Sequence, residues 1–256
     1  MPKRGLAAVI YGREGSGKTS IGLQFPEPIK CLSIGENGYK YLEDVHATPE
    51  NSVDIEITSY KQLVDETKKT AQGTLLIDGL KGVQSIIFDH VKQTVYGGND
   101  TKFNAYSEGP RKFAPPILQE YLNLCSILNS RGVHTIFLGH MGTTTLVNAM
   151  GADQYCHVIL MDDGDKGGMR STIRSWSGLI LFINNEVMIE TATDLTKSGN
   201  ILEGKALKKD IRVMYTTTSV VHEAKNRWNL PATIAMGASP KEAFNNLWKL
   251  VPDTYK

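Results

Sequence analysis

The stretch that decides the fold is Ile10–Ser20, which reads IYGREGSGKTS. Glycine occupies positions 12, 15 and 17, and a lysine and a threonine follow at once. Glycine lets a tight loop turn its successive backbone N–H groups inward, where they can surround an anion. Residues 12–19 fit the pattern G-x-x-x-x-G-K-[ST], which predicts a loop that wraps the phosphates of a nucleoside triphosphate.

Each residue type in this loop has a predicted task. Lys18 can reach the β- and γ-phosphates, and the Thr19 hydroxyl can ligate Mg²⁺. A helix that follows Gly17 would point its positive end at the same phosphates. The residues expected to contact the nucleotide are Gly12, Arg13, Glu14, Gly15, Ser16, Gly17, Lys18, Thr19 and Ser20.

The pattern of apolar residues around the loop predicts alternating strands and helices. Four apolar runs predict buried strands: Leu6–Tyr11, Ile29–Ile34, Thr74–Ile77 and Val133–Leu138. Four segments between or beside them have the spacing or composition of helices: Ser20–Phe25, Tyr60–Ala71, Val83–Val95 and Ile117–Asn129. Tyr96–Phe113 is expected to be a polar loop. This alternation predicts a mainly parallel sheet with right-handed crossovers and flanking helices.

The pattern changes after His140. Tyr155–Met161 and Met169–Trp176 flank the turn-like Asp162–Gly168, which indicates a β-hairpin or a mobile loop between strands. Leu179–Ile183 and Val187–Glu190 flank Asn184-Asn185 and predict a second hairpin.

The last part of the chain contains a predicted strand, Ile211–Thr216, and a predicted helix, Pro240–Leu250. The whole sequence therefore predicts an α/β fold with a mainly parallel central sheet and antiparallel hairpin additions in its C-terminal half. We expect residues 1–256 to form a single domain, with a core at about 5–231 and a helical tail at 232–256.

Composition narrows the function classes. The net charge of +1 excludes a polycation, so nucleic-acid binding would require a local patch or several subunits. The three cysteines, Cys31, Cys125 and Cys156, are widely spaced and form no CxxC, which favours reduced thiols in a cytoplasmic protein. No apolar run approaches the ~18 residues of a membrane helix, and we expect no membrane contact.

Polar residues follow three of the predicted strands. Asp78 ends the run TLLI and is expected to hold Mg²⁺; the alternative is a turn-forming Asp-Gly. Glu36 follows the second strand and could activate the attacking water as a general base, or could be an ordinary loop carboxylate. His140 ends the run FLGH and could sense the γ-phosphate, although a lone histidine is often inert.

These positions together resemble the RecA-like core of P-loop ATPases: a Walker A loop, a glutamate, a Walker B aspartate and a polar sensor after successive strands. Within that group the chain most resembles the phage-encoded RecA-like ATPases of the single-strand annealing and recombination proteins. The strand ends SIGENG and LLIDGL and the segment AKNRWNLP at 224–231 carry the resemblance. SIGENG has a glycine where relatives often carry an aspartate, and residues 141–177 match no motif.

The resemblance implies ATP and Mg²⁺ as cofactors and a ring or filament with the nucleotide at the subunit interface. Lys225 and Arg227 are similar to the paired basic fingers that reach a neighbouring subunit's nucleotide, so the resemblance implies that they act in trans. The alternative is a solvated basic turn.

The resemblance also implies that loops after the sensor strand contact single-stranded DNA. The candidates here are Lys166, Arg170, Arg174 and Trp176, which combine phosphate-binding cations with a stacking aromatic. A solvated hairpin is the alternative, because Asp162, Asp163 and Asp165 cancel much of the charge. A second basic cluster contains Lys205, Lys208, Lys209 and Arg212.

The function implied is a DNA-stimulated ATPase, encoded by a phage and working in the bacterial host cytoplasm. It would bind single-stranded DNA as an oligomer and promote annealing or strand exchange. A single-strand binding protein is a further candidate partner. The alternatives are a helicase or packaging motor, and a loader or binding module that switches with nucleotide but does not hydrolyse it.

Overall fold

The computed structural model describes residues 3–148, 151–160, 168–189 and 206–256. Its strands are β1 (Ala7–Gly12), β2 (Ile29–Ser33), β3 (Ser52–Glu56), β4 (Thr74–Asp78), β5 (His134–Asn148), β6 (Gly151–Val158), β7 (Leu179–Ile189), β8 (Ala206–Tyr215), β9 (Lys225–Asn226) and β10 (Thr233–Ala235). Its α-helices are α1 (Lys18–Gly22), α2 (Gly38–Asp44), α3 (Tyr60–Lys68), α4 (Leu80–Tyr96), α5 (Asp100–Asn104), α6 (Ala114–Ser130), α7 (Met169–Trp176) and α8 (Pro240–Trp248).

The sheet has the order β10-β8-β7-β1-β5-β4-β2-β3. The strands from β7 to β3 are parallel, whereas β8 pairs antiparallel with β7, and β10 pairs antiparallel with β8 at the sheet edge. This arrangement confirms the predicted α/β fold of the RecA-like P-loop type. Because parallel strands end at the same edge, the residues after β1, β4 and β2 meet there, beside the middle of β5.

Pairing register fixes which residues meet at that edge. Gly12 of β1 pairs with His140 of β5, and Asp78 of β4 lies between Leu138 on one side and Ser33 on the other. Since β5 lies between β1 and β4, the glycine loop and Asp78 are separated by one strand. The edge that contains these carboxyl ends is called the carboxyl edge below, and the opposite edge is the amino edge.

Two apolar clusters, one on each face, pack the sheet between layers of helices. Along β4, Leu75 and Ile77 belong to one cluster and Leu76 to the other, and all three are fully buried. Burial on both faces explains why the central strands read as continuous apolar runs instead of alternating ones. Burial of each such side chain contributes about 1.5–3 kcal/mol to the free energy of folding, which stabilises the strands whose ends form the site.

Two helical regions differ from the prediction. The helix after the glycine loop is Lys18–Gly22 and not Ser20–Phe25, because it begins directly at Gly17, which has a left-handed φ of 90°. Tyr96–Phe113 is not simply a loop: it contains α5, a 3-10 turn and a π turn. The buried Phe103 ring packs against Phe88 and Tyr96 and holds this segment to the core.

The first predicted hairpin is wrong in its second half. Met169–Trp176 forms the helix α7, since Met169 and Ile173, four residues apart, are buried on one side. The Gly168 N–H donates to the Ser171 hydroxyl and begins the helix. The antiparallel partner of β6 is instead β5, which continues past His140 as far as Asn148. His140 therefore lies within a strand and does not end one.

The second predicted hairpin has its turn in a different place. Asn184-Asn185 does not turn the chain; β7 passes through it, with a register shift between Asn185 and Val187 where it pairs with β8. Asn-Asn is compatible with a turn or with a β-bulge. Here the chain forms the irregular pairing of a bulge, because β7 continues along β8 on both sides of the two asparagines.

The sequence patterns missed α2 and β3. Both are largely polar and half-exposed, and β3 is the edge strand, so neither has a strong apolar period. In the described part of the chain, none of the helices has the length and apolar character that crossing a bilayer requires.

Candidate nucleotide site at the carboxyl edge

A cleft of about 710 Å³ opens at the carboxyl edge. The glycine loop forms one wall, and the segments after β2 and β4 and the middle of β5 form the others. Its charged, ionisable or hydroxyl-bearing lining residues are Glu14, Lys18, Thr19, Glu36, Tyr41, Asp78, Lys81, Ser85 and His140. The structure thus brings together the predicted loop, Glu36, Asp78 and His140.

The glycines of the loop are required by its shape. Gly15 and Gly17 have φ values of 69° and 90°, in the left-handed region that side chains with a Cβ rarely occupy. Gly12 has a different reason, since a Cβ there would lie 2.5 Å from the Ile183 carbonyl oxygen of β7. The loop therefore fits closely against the sheet, and its residues Glu14, Gly15, Lys18 and Thr19 line the cleft.

Lys18 is nearly buried, with 8% of its surface exposed. Its Nζ donates to the carbonyl oxygens of Gly12 at 3.2 Å and Arg13 at 2.8 Å. Burial lowers the pKa of this ammonium group, and the carboxylates of Asp78 and Glu36 partly oppose that change. A phosphate oxygen is a stronger partner for an ammonium than a carbonyl, so this cation suits a bound polyphosphate.

Thr19 and Asp78 form the contact that the predicted metal site needs. The Thr19 hydroxyl donates to Asp78 Oδ2 at 2.9 Å. Asp78 is buried, and that burial raises its pKa to about 6, although the Thr19 hydrogen bond acts in the opposite direction. Gly38 closes over the pair: a Cβ there would lie 2.6 Å from Thr19 Oγ1. A hydroxyl and a buried carboxylate are oxygen ligands of the kind that Mg²⁺ takes together with phosphate, so the residues fit the ion.

Glu36 and His140 form a second pair beside the first. Glu36 Oε1 lies 2.8 Å from His140 Nε2, and both side chains are about one-quarter exposed. The Glu36 stem crosses Gly79, where a Cβ would lie 3.0 Å from Glu36 Cγ. Gly79 directly follows Asp78, and Glu36 lines the same cleft as Thr19 and Asp78.

Two further polar groups complete the loop. The Ser16 hydroxyl is buried and has no hydrogen-bond partner among the described residues, which suits it to donate to an anion in the loop. Arg212 of β8 donates from Nη1 to the Ser16 carbonyl oxygen at 3.3 Å.

Arg212 is a residue whose position the sequence did not reveal. Its basic neighbours suggested a nucleic-acid contact, but the pairing of β7 with β8 sets it beside the glycine loop. The side chains of Lys205, Lys208 and Lys209 lie outside what the structure describes.

Lys225 and Arg227 lie at the amino edge, away from this cleft. Lys225 Nζ donates to the carbonyl oxygens of Arg174 and Ser175, and Arg227 Nη2 donates to that of Ser175 at 3.3 Å. Both cations thus cap the C-terminal end of α7, where the last carbonyls of a helix lack intrahelical partners. Roughly 16 Å of β1, five steps of about 3.3 Å, separates that edge from the chain's own glycine loop.

The residues predicted to contact DNA are distributed around α7. Arg174 forms an ion pair with the buried Glu223 at 3.4 Å, and Arg170 lies one turn earlier on the same helix. The Trp176 indole N–H donates to Ser126 Oγ at 2.9 Å, and its ring packs edge-on against Phe137. Lys166 and the acidic residues near it lie outside the described residues.

Two comparisons with known proteins gave matches. A family model described as "AAA domain" matches residues 4–228. A similar solved structure is a KaiC-like protein, PH0186, from the hyperthermophilic archaeon Pyrococcus horikoshii OT3. It shares 11% identity and a TM-score of 0.43, over 93% of this chain and 88% of that chain. A search of curated proteins gave no match.

Proposed function

The chain belongs to the AAA-domain family, and from that premise we propose that it binds Mg²⁺-ATP at the carboxyl edge and hydrolyses it. The observation that carries the proposal is the Thr19–Asp78 contact of 2.9 Å beneath a glycine loop, with Glu36 beside it. Family membership supports a generic P-loop ATPase. The roles of single residues and the biological task are our own inferences.

The loop would bind the phosphates through its backbone. Gly15 and Gly17 allow the N–H groups of residues 13–19 to face one anion, and the partnerless Ser16 hydroxyl adds a donor. Lys18 would exchange its two carbonyl partners for phosphate oxygens and neutralise charge that develops during transfer. Arg212 would hold the loop from the outside through the Ser16 carbonyl.

Mg²⁺ would be held by Thr19 and Asp78, either directly or through water. When bound, the ion neutralises phosphate charge and orients the terminal phosphoryl group. Burial raises the pKa of Asp78, and a cation bound to its carboxylate would lower that pKa again. Binding of the ion and of the nucleotide should therefore be strongly interdependent.

Glu36 would accept a proton from the attacking water. A carboxylate in this position needs an orienting partner, and His140 Nε2 provides one at 2.8 Å. His140 would thus act as a positioning residue for Glu36. Because His140 lies within β5, which continues into the β5–β6 hairpin, a change at Glu36 could be passed to that hairpin.

Lys225 and Arg227 would act on a neighbouring subunit. They lie too far from their own loop to reach it, so any contact with nucleotide would have to be made in trans, in a ring or a filament. A mixing experiment tests this role. Arg227→Ala subunits that also carry Lys18→Ala should lower the activity of wild-type partners more than proportionally; a strictly proportional decrease would contradict it.

For the biological task we propose the one implied by the resemblance: a phage-encoded recombination ATPase that anneals or exchanges DNA strands as an oligomer. The AKNRWNLP segment and the cations on α7 support it. A helicase or packaging motor, and a loader that does not hydrolyse ATP, are the competing functions.

One assay separates these functions. Phosphate release is measured with and without single-stranded DNA, and annealing and unwinding of labelled strands are followed in parallel. We expect stimulation by single-stranded DNA, annealing, and no unwinding. Unwinding would favour the motor, and tight ATP binding without phosphate release would favour the loader; either result would contradict the proposal.

A further inference from the structure

We propose that a cleft at the amino edge of the sheet binds a segment of single-stranded nucleic acid; this inference rests on the DNA binding proposed above. The cleft measures about 430 Å³, within the range of pockets that hold small ligands. It lies between the start of β1, the C-terminal ends of α6 and α7, and the segment after β9. The side chains used here are Arg4, Ser126, Trp176, Arg227, Trp228 and Tyr255.

The charge of the cleft is positive. Arg4 and Arg227 are both exposed, and among the described residues that line the cleft there is no carboxylate. Within the described chain, Arg227 donates to a backbone carbonyl and neither arginine forms an ion pair with an acidic side chain. The cleft therefore presents two guanidinium groups that can each bind a phosphate.

Helix dipoles oppose this charge but do not cancel it. The C-terminal ends of α6 and α7 face the cleft, and each carries a partial charge of about −0.5. Lys225 and Arg227 already bind the last carbonyls of α7. Burial lowers the pKa of Lys225 most, and the neighbouring Arg227 and Arg174 cations, which lie close to it, lower it further. A multiply charged anion is thus favoured over a neutral ligand.

The aromatic rings supply the second half of the recognition. Trp228 and Tyr255 lie with ring centroids 5.0 Å apart, and both are half-buried. Trp176 is fixed by its bond to Ser126 and by its edge-on contact with Phe137. Rigid, part-exposed rings beside cations bind unstacked bases and their phosphates without sequence preference. Paired bases in a duplex would not present their faces to such rings.

Arg227 belongs both to this cleft and to the trans contact proposed above, and it cannot make both contacts at once. The test therefore uses Arg4 and Trp228, which have no part in the trans proposal. A second copy of the chain seated in the cleft is the competing occupant.

The experiment measures binding of a fluorescently labelled oligothymidylate by anisotropy at several salt concentrations. Trp228→Leu should lower affinity roughly tenfold, the value of one stacked base, and leave the salt dependence unchanged. Arg4→Ala should reduce the slope of log affinity against log salt by about 0.7, the value for one lost phosphate contact on a single strand. Trp228→Phe should retain most of the affinity.

Matched controls come from the same chain. Tyr106→Ala removes a fully exposed ring, and Lys61→Ala removes a lysine with 86% side-chain exposure, both outside the cleft. Neither should change affinity or salt slope. ATP binding at the opposite edge and the mass of the assembly are measured for every variant, because they report whether the variant is folded and assembled.

The outcomes separate the two levels of proposal. If the wild-type protein binds no oligonucleotide, the proposed DNA function fails and the cleft has no nucleic-acid ligand. If the wild-type protein binds and both cleft variants bind with wild-type affinity and slope, only the cleft inference is overturned. If the cleft variants keep DNA binding but lose assembly mass, a second copy occupies the cleft and the inference is again overturned.

Discussion

The two edges of the sheet carry opposite chemistry. The carboxyl edge has a buried lysine, three acidic side chains and loops of glycine, whereas the amino edge has two arginines, three aromatic rings and no lining carboxylate among the described residues. Parallel strands produce this division, because all their carboxyl ends open into loops on one side and the helices return to the other. One rigid sheet can thus hold two ligands apart.

Removal of the cation at the carboxyl edge should separate the two edges most strongly. Lys18→Ala should lower ATP hydrolysis about 10²–10³-fold or more, since a charge-stabilising donor is lost. DNA binding at the amino edge should not change. Lys81→Ala is the matched control, because Lys81 lines the same cleft. Phosphate release and oligonucleotide anisotropy on the same samples provide the measurement, and equal activity of the two variants would contradict the assignment.

Asp78 offers a test through pH in the nucleotide-free protein. Its pKa is about 6 in the folded state against an ordinary 3.8, so the folded chain binds this proton more tightly than the unfolded chain. The stability contributed by the group is therefore complete below pH ~4 and is lost as pH rises toward 6. Asp78→Asn, which resembles the neutral form, should gain roughly 3 kcal/mol at pH 7 and little at pH 4.

Urea unfolding at pH 4, 5, 6 and 7 measures that difference. The control is Asp253→Asn, since Asp253 is 96% exposed and should gain nothing. A constant difference between Asp78→Asn and the wild type at all four pH values would show that Asp78 is not a strained buried carboxyl.

Gly38 provides a test of Thr19 and Asp78 as the residues that hold Mg²⁺. Gly38→Ala places a methyl group 2.6 Å from Thr19 Oγ1 and 3.1 Å from Asp78 Oδ2, so one of them must move. Overpacking of this kind costs about 1–3 kcal/mol, and we expect the Mg²⁺ concentration for half-maximal hydrolysis to rise roughly tenfold.

Gly97→Ala is the matched control for Gly38. Its φ is 58° and its surroundings are open, so it should lose stability through backbone strain without changing the Mg²⁺ requirement. A Mg²⁺ titration of hydrolysis distinguishes the two variants, and an unchanged requirement in Gly38→Ala would place the ion elsewhere.

The smallest effect belongs to the amino edge. Lys225→Met keeps the apolar stem but loses the bonds to the last carbonyls of α7. Capping of this kind contributes about 0.3–1 kcal/mol, and thermal melting should show a loss in that range. A larger loss, or none, would show that Lys225 is not a cap in the isolated chain.

Local patterns predicted the carboxyl edge well and the amino edge poorly. The glycine loop, Asp78 and Glu36 each follow a buried apolar strand, and parallel pairing brings such strand ends together. Arg212 meets Ser16 across 196 positions only because β7 and β8 pair in one register. The amino-edge cleft is lined by Arg4, Trp228 and Tyr255. These residues are far apart in the sequence, so no local pattern could predict that they lie together.

The central claim is that Glu36 activates water for a triphosphate held at residues 12–19. Single-turnover phosphate release from Mg²⁺-ATP by Glu36→Gln tests it most directly, with Glu56→Gln as the control, since Glu56 lies outside the cleft and its side chain is 67% exposed. We expect unchanged ATP affinity for both variants, and phosphate release about 10²–10⁴-fold slower in Glu36→Gln alone. Release at the wild-type rate by Glu36→Gln would contradict it.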